Sequence, residues 1–164
     1  MGNRRQKRQG FLTGLFFVLT GATAGLADTC RPEIVELRGD WGTAQFSIEL
    51  ADDATERAQG LMHRDSMAMS SGMLFVYDTP DVVSFWMRNT LIPLDMIFAD
   101  EKGIVRHVHH NAVPLSEDAI LGGTGIQYVL EINGGLAGAL GIAKGSTLRH
   151  PAIDDTLAAW SCDQ

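Results

Sequence analysis

Residues Thr43 to Leu50 alternate strictly, with Ala44, Phe46, Ile48 and Leu50 apolar and Thr43, Gln45, Ser47 and Glu49 polar. A period of two fits an extended strand with one buried and one wet face. Other short apolar runs continue the pattern: Ile34 to Arg38, Met73 to Tyr77, Val82 to Met87, Leu94 to Ala99, Ile104 to His109 and Ile126 to Ile132. Turn residues separate them, at Gly39-Asp40, Asp78-Thr79-Pro80-Asp81 and Asp100-Glu101-Lys102-Gly103. Many short strands with frequent turns predict a mainly β fold, a sandwich or barrel in preference to a βαβ unit. Two short helices interrupt the pattern. Asp53 caps the first, with Glu56 completing a capping box and Gly60 ending it. Asn133 is the expected cap of the second, which closes at Gly141. Ser116 to Gly125 reads as a loop and residues 150–164 as a tail.

The N-terminal segment is of another kind. Arg4, Arg5, Lys7 and Arg8 precede an apolar stretch from Phe11 to Ala22, and Gly25-Leu26-Ala27 supplies small residues. This is the pattern of a cleavable secretory signal over residues 1–27, and its apolar stretch is short for a membrane span. The expected location is the periplasm or the medium. Of 13 basic and 20 acidic residues, four basic and no acidic ones fall in that segment, so residues 28–164 carry nine against twenty, a net charge of −11. Such a balance disfavours nucleic acid and anionic lipid as partners and suits cations. The expectation is one domain over 28–164 with no stable membrane insertion. Cys30 and Cys162 stand at its two ends, and an oxidising compartment predicts a disulfide between them.

Three stretches resemble the DUF192 family of small bacterial and archaeal proteins. They are Glu56-Arg57-Ala58-Gln59-Gly60-Leu61-Met62-His63-Arg64, Gly72-Met73-Leu74-Phe75, and Phe85-Trp86-Met87-Arg88-Asn89-Thr90 continued by Pro93-Leu94-Asp95-Met96-Ile97-Phe98. Val129-Leu130-Glu131-Ile132 and Gly141-Ile142 fit its end. The resemblance runs over about residues 33–149. It implies a jelly-roll-like β-sandwich with a short helix, and it implies no activity.

The third stretch holds the densest chemistry. Read as a strand, it turns Trp86 and Arg88 to one face and Phe85 and Met87 to the other, with Asn89-Thr90 beginning a turn. Trp86, Arg88, Asn89, Thr90 and Asp95, with Arg64 and Glu131 as contributors, form the candidate ligand site. An aromatic surface beside hydrogen-bonding groups suits a small molecule, a glycan or a peptide. In the competing structural reading Arg88 pairs with Asp95 and Asn89-Thr90 shape the turn.

Two other functions remain open. Met67 and Met69, with His63, are soft ligands suited to copper as Cu(I), although Met is also a common filler of irregular cores. Otherwise no cofactor is expected. His107, His109 and His110 give a second, weaker metal pattern without an evident third ligand. An envelope glycan hydrolase would need two carboxylates at a set separation, for which Asp95 and Glu131 are the pair to measure. No nucleophile elbow or phosphate loop is present. The balance of the sequence favours a non-catalytic binding module.

Overall fold

A computed structural model describes residues 30–164, together with Gly2. The expected signal segment lies outside the described residues. Seven strands and two short helices follow in the order β1 (Ile34–Gly39), β2 (Gly42–Ala51), α1 (Ala54–Gln59), β3 (Ser71–Phe85), β4 (Leu94–Ala99), β5 (Val105–Ala112), β6 (Ile120–Asn133), α2 (Leu136–Leu140) and β7 (Thr147–Arg149). The mainly β fold is as expected. No helix among the described residues is long and apolar enough to cross a membrane.

All seven strands join one sheet in the order β5-β4-β6-β3-β2-β1-β7. Neighbours are antiparallel except β2 and β3, which are parallel. The long connection through α1 permits that exception, since parallel strands need a crossover. The two ends of the sheet then meet. Ile104 bridges Thr147, Val105 N donates to Ser146 O at 2.8 Å, and Leu148 N donates to Gly103 O at 2.8 Å. The jelly-roll-like curl therefore brings opposite ends of a single sheet together, leaving fewer open strand edges.

Curling gives the sheet two unlike faces. Its inner face carries a core to which every strand contributes, including Leu37, Phe46, Leu74, Ile97, Val105, Leu130 and Leu148. Phe46 and Ile48 of the alternating run are buried there. The outer face carries a second core of Met73, Phe75, Leu94, Met96, Phe98 and Val129, covered by Leu61, Met87 and Ile92 from the connecting segments. β4 is buried along its whole length because it serves both cores.

Three expected boundaries move. β3 runs unbroken from Ser71 to Phe85 and takes in the Asp78–Asp81 turn as an irregularity in its pairing with β6. The expected 116–125 loop belongs from Ile120 onward to β6, where glycines permit the close approach. A Cβ at Gly122 would lie 2.3 Å from the Phe98 ring. Asn133 ends β6 and donates from its side chain to Ala68 O at 3.0 Å, while Gly135 caps α2. The C-terminal segment is packed: Ile153 is buried, and Arg38 and Arg149 lie over the Trp160 ring at 4.4 and 4.8 Å. The expected Cys30–Cys162 disulfide is present.

Candidate functional site

β6 alternates Leu130 and Ile132 into the inner core, which turns Glu131 to the outer face. There Glu131 stands opposite Met73 of β3 and Met96 of β4, both buried. It is 4% exposed and makes no hydrogen bond or ion pair with another described residue. Both neighbours are apolar, and burial pushes its carboxyl up to about 8. At neutral pH this group is a neutral acid with an unused donor and acceptor.

The Glu131 carboxyl lines a cavity of about 170 Å³. Phe75 and Tyr77 of β3 wall one side, on the same strand face as Met73. Phe85 and Trp86 enter from the end of β3, with the rings of Phe75 and Phe85 edge to face at 5.1 Å. α1 supplies the remaining wall. Asp53 Oδ1 caps it by accepting from Thr55 N at 2.7 Å and Glu56 N at 2.8 Å, and the Glu56 side chain accepts from Asp52 N. Gly60 ends the helix at φ 47, where a Cβ would lie 3.2 Å from the Phe75 ring. Glycine there serves both the left-handed backbone and the close wall.

Arg57 is the one cation lining the cavity among the described residues, and its contacts hold it to the wall. Its Nη1 donates to Asp52 O at 2.6 Å and Val76 O at 2.8 Å, and its guanidinium lies 5.1 Å over the Tyr77 ring. Desolvation raises the Tyr77 hydroxyl, Arg57 opposes the shift, and Glu131 and Asp81 add to it. Thr90, 5% exposed, completes the lining from the turn after Met87.

Of the seven predicted ligand residues, the structure brings three to this cavity: Trp86, Thr90 and Glu131. Asn89 adjoins it, donating to Sδ of the lining Met62 at 3.8 Å from a left-handed backbone with φ 55. Arg88 does not enter. Its strand ends at Phe85, so Phe85 and Trp86 both line the cavity and the expected alternation fails. Arg88 lies 5.5 Å over the Trp86 ring and 3.9 Å from Glu117, with no ion pair to Asp95. Arg64 is bound elsewhere, making two bonds to the Glu49 carboxylate at 2.5 and 2.7 Å.

Asp95 corrects the sequence reading most sharply. It pairs in register with Ile132 and faces the inner core, fully buried. Its carboxylate accepts backbone N–H bonds from Asn111 at 2.7 Å, Gly135 at 2.9 Å and Ala137 at 2.7 Å. It is a structural anchor that ties α2 and the end of β5 to β4. Asp95 and Glu131 therefore point to opposite faces of the sheet and cannot flank one glycosidic bond.

The methionines also diverge. Met67 packs against the outer core, whereas Met69 is 63% exposed. His63 is exposed with φ 64. His107 stacks on Phe98 at 5.7 Å, and His110 Nδ1 lies 4.0 Å from Asp95. No group of three His, Cys, Asp or Glu side chains converges as a metal site among the described residues. Sequence reasoning missed Arg57, Phe75, Tyr77 and Phe85. Arg57, Phe75 and Phe85 lie within the quoted motifs, but only the pairing of β3 with β6 puts Phe75 on Glu131's face, and Arg57 reaches it from α1 through its bond to Val76 O.

The DUF192 family profile, described as an uncharacterized ACR, matches residues 35–150. A protein of unknown function from Novosphingobium aromaticivorans is 43% identical, with a TM-score of 0.69 over 70% of this chain and 82% of that one. A proposed transcription regulator from Sinorhizobium meliloti is 42% identical, with a TM-score of 0.69 over 73% of this chain and 94% of that one. No curated protein matches the chain.

Proposed function

The chain belongs to the DUF192 family, and on that premise we propose that it is a non-catalytic binding module that takes a small ligand in the cavity over Glu131. One observation carries the reading: a carboxyl group buried to 4% exposure, without a hydrogen-bond or ion-pair partner among the described residues, opens onto a cavity walled by aromatic rings. A buried polar group without a hydrogen bond costs about 1–3 kcal/mol. A fold tolerates that cost where a ligand completes the bond. The cavity, about 170 Å³, is smaller than pockets that enclose whole drug-sized ligands. It suits a single headgroup or side chain, with the half-exposed Trp86 at its mouth as a platform for the rest.

Thermal shift of the purified, disulfide-bonded protein against small polar molecules, amino acids, sugars and short peptides tests this. A ligand at a hundred times its Kd adds about 2.7 kcal/mol. The expected result is a shift that disappears in Trp86→Ala. A panel without any Trp86-dependent shift rejects the reading.

The same proposal places the domain outside the cytoplasm, with residues 1–27 as a cleaved signal. The segment's charge pattern and the Cys30–Cys162 disulfide support it. N-terminal sequencing of protein from the envelope fraction is expected to begin after Ala27. An intact chain found only in the cytosol, with reduced thiols, overturns it.

A further inference from the structure

We propose that the ligand group received by the cavity is an organic cation, an ammonium head that lies against the aromatic walls and takes the Glu131 carboxylate as its counter-ion. This rests on the reading of the cavity as a ligand site and names the chemistry it selects.

Three features point the same way. First, Phe75, Tyr77, Phe85 and Trp86 line one small space, where aromatic rings attract cations through their negative π surfaces; Tyr77 and Trp86 each already hold an arginine, Arg57 at 5.1 Å and Arg88 at 5.5 Å, which leaves Phe75 and Phe85 without one. Second, among the described residues the one carboxyl group in the lining has no cation of its own. Arg57 is committed to two backbone carbonyls and the Tyr77 ring, so the place beside Glu131 is open. Third, the size is right. A cavity of about 170 Å³ is close to one that holds a single benzene ring, and a trimethylammonium or short alkylammonium head is no larger. The acidic balance of residues 28–164 also favours the approach of cations.

The groups around Glu131 decide how binding follows pH. From β3 it faces Met73 and, further along, Tyr77; from β4 it faces Met96. Asp95 of β4 lies on the opposite face. His109 and His107 stand two strands away on β5, opposite Met96 and Phe98, and Glu49, bonded to Arg64, stands two strands away on β2, opposite Met73. α1 contributes Arg57, and the Met87–Thr90 turn contributes the uncharged Thr90. In the empty site the carboxyl is protonated at neutral pH. On binding, its O–H bond breaks, the proton passes to buffer, and the ligand itself is unchanged. Affinity for a cation therefore rises with pH, by up to tenfold per unit, and levels off above about 8.

Choline, n-butylammonium and 3,3-dimethylbutan-1-ol, the uncharged carbon isostere of choline, are the probes. Calorimetry at pH 6, 7, 8 and 9 reads affinity and proton release together. The expected result is binding of at least one cation, preferred tenfold or more over the alcohol. Its affinity should climb between pH 6 and 8, and both the preference and the climb should vanish in Glu131→Gln. If the alcohol binds as well as choline, or if affinity falls as pH rises, the cation is wrong while the cavity stands as a neutral-ligand site. If no probe binds but another compound gives a Trp86-dependent shift, the cation is again wrong and the site stands. If nothing binds, both readings fall.

Discussion

Asp95 and Glu131 are buried carboxyl groups on adjacent strands, one residue out of register with each other, and they have opposite fates. Asp95 looks into the closed side of the sheet and accepts three backbone N–H bonds. Glu131 looks into the outer core, between two methionines, and accepts none. Both side chains are buried, so burial alone does not separate them. What separates them is completion: the Asp95 site is finished by its own backbone, whereas the Glu131 site is finished by nothing in the described chain. The unfinished carboxyl is the one that opens onto a cavity.

Substitution at the two positions should preserve this contrast. Asp95→Ala removes the acceptor for three backbone donors and is expected to cost about 4 kcal/mol, read from urea unfolding. Asp95→Asn should cost less, because its carbonyl still serves Asn111 and Gly135 while its NH₂ opposes the Ala137 N–H. If Asp95→Ala costs under about 1 kcal/mol, Asp95 is no anchor and the contrast fails.

Glu131 should give the next largest effect, with the opposite sign. Its folded value of about 8 lies above the ordinary 4.5, so the folded state holds a proton that the unfolded chain has released between those values. Stability is therefore expected to fall as pH rises through that window, by about 3 kcal/mol from pH 4.5 to pH 7 through this group. Glu131→Gln should flatten that part of the profile. An unchanged profile in the variant would show that Glu131 is solvated or paired.

Smaller effects sharpen the contrast at the cavity mouth. Trp86 is 47% exposed, so Trp86→Ala should cost about 2 kcal/mol of stability, less than a core tryptophan, while abolishing ligand-induced thermal shifts. A large loss of stability would make Trp86 a core residue. Arg88→Ala should change stability by no more than about 0.5 kcal/mol, because its contact with Glu117 is long and exposed. Its effect on ligand binding should be similarly small.

The sequence is most legible where order along one strand suffices. The alternation of Phe46 and Ile48, the Asp53 cap with its Gly60 stop, and the terminal cysteine pair are all local or compositional signals. It is least legible where the answer depends on which strand lies beside which. Alternation around Asp95 and around Glu131 gives each a side of its own strand, but relating those sides requires the β4–β6 register. The predicted site combined both residues, with Arg88, in one place for that reason. The Asp78–Asp81 segment misled in another way. Its Asp, Pro and Asp are turn formers, yet pairing with β6 carries β3 through it and delivers Phe85 and Trp86 to the cavity. Tertiary pairing there overrides local preference.

The bond between Cys30 and Cys162 has a mechanical meaning as well as a stabilising one. The two cysteines are 132 positions apart in the chain and 5.3 Å apart between Cα atoms. Tension applied to chain before Cys30 and after Cys162 passes through one covalent link and leaves the strands between them unloaded. Reduction would open that short circuit and route the same force through β1 and the packed C-terminal segment. Under oxidising conditions, then, a pull on the two ends of the domain leaves its sheet and the cavity beside Glu131 unloaded.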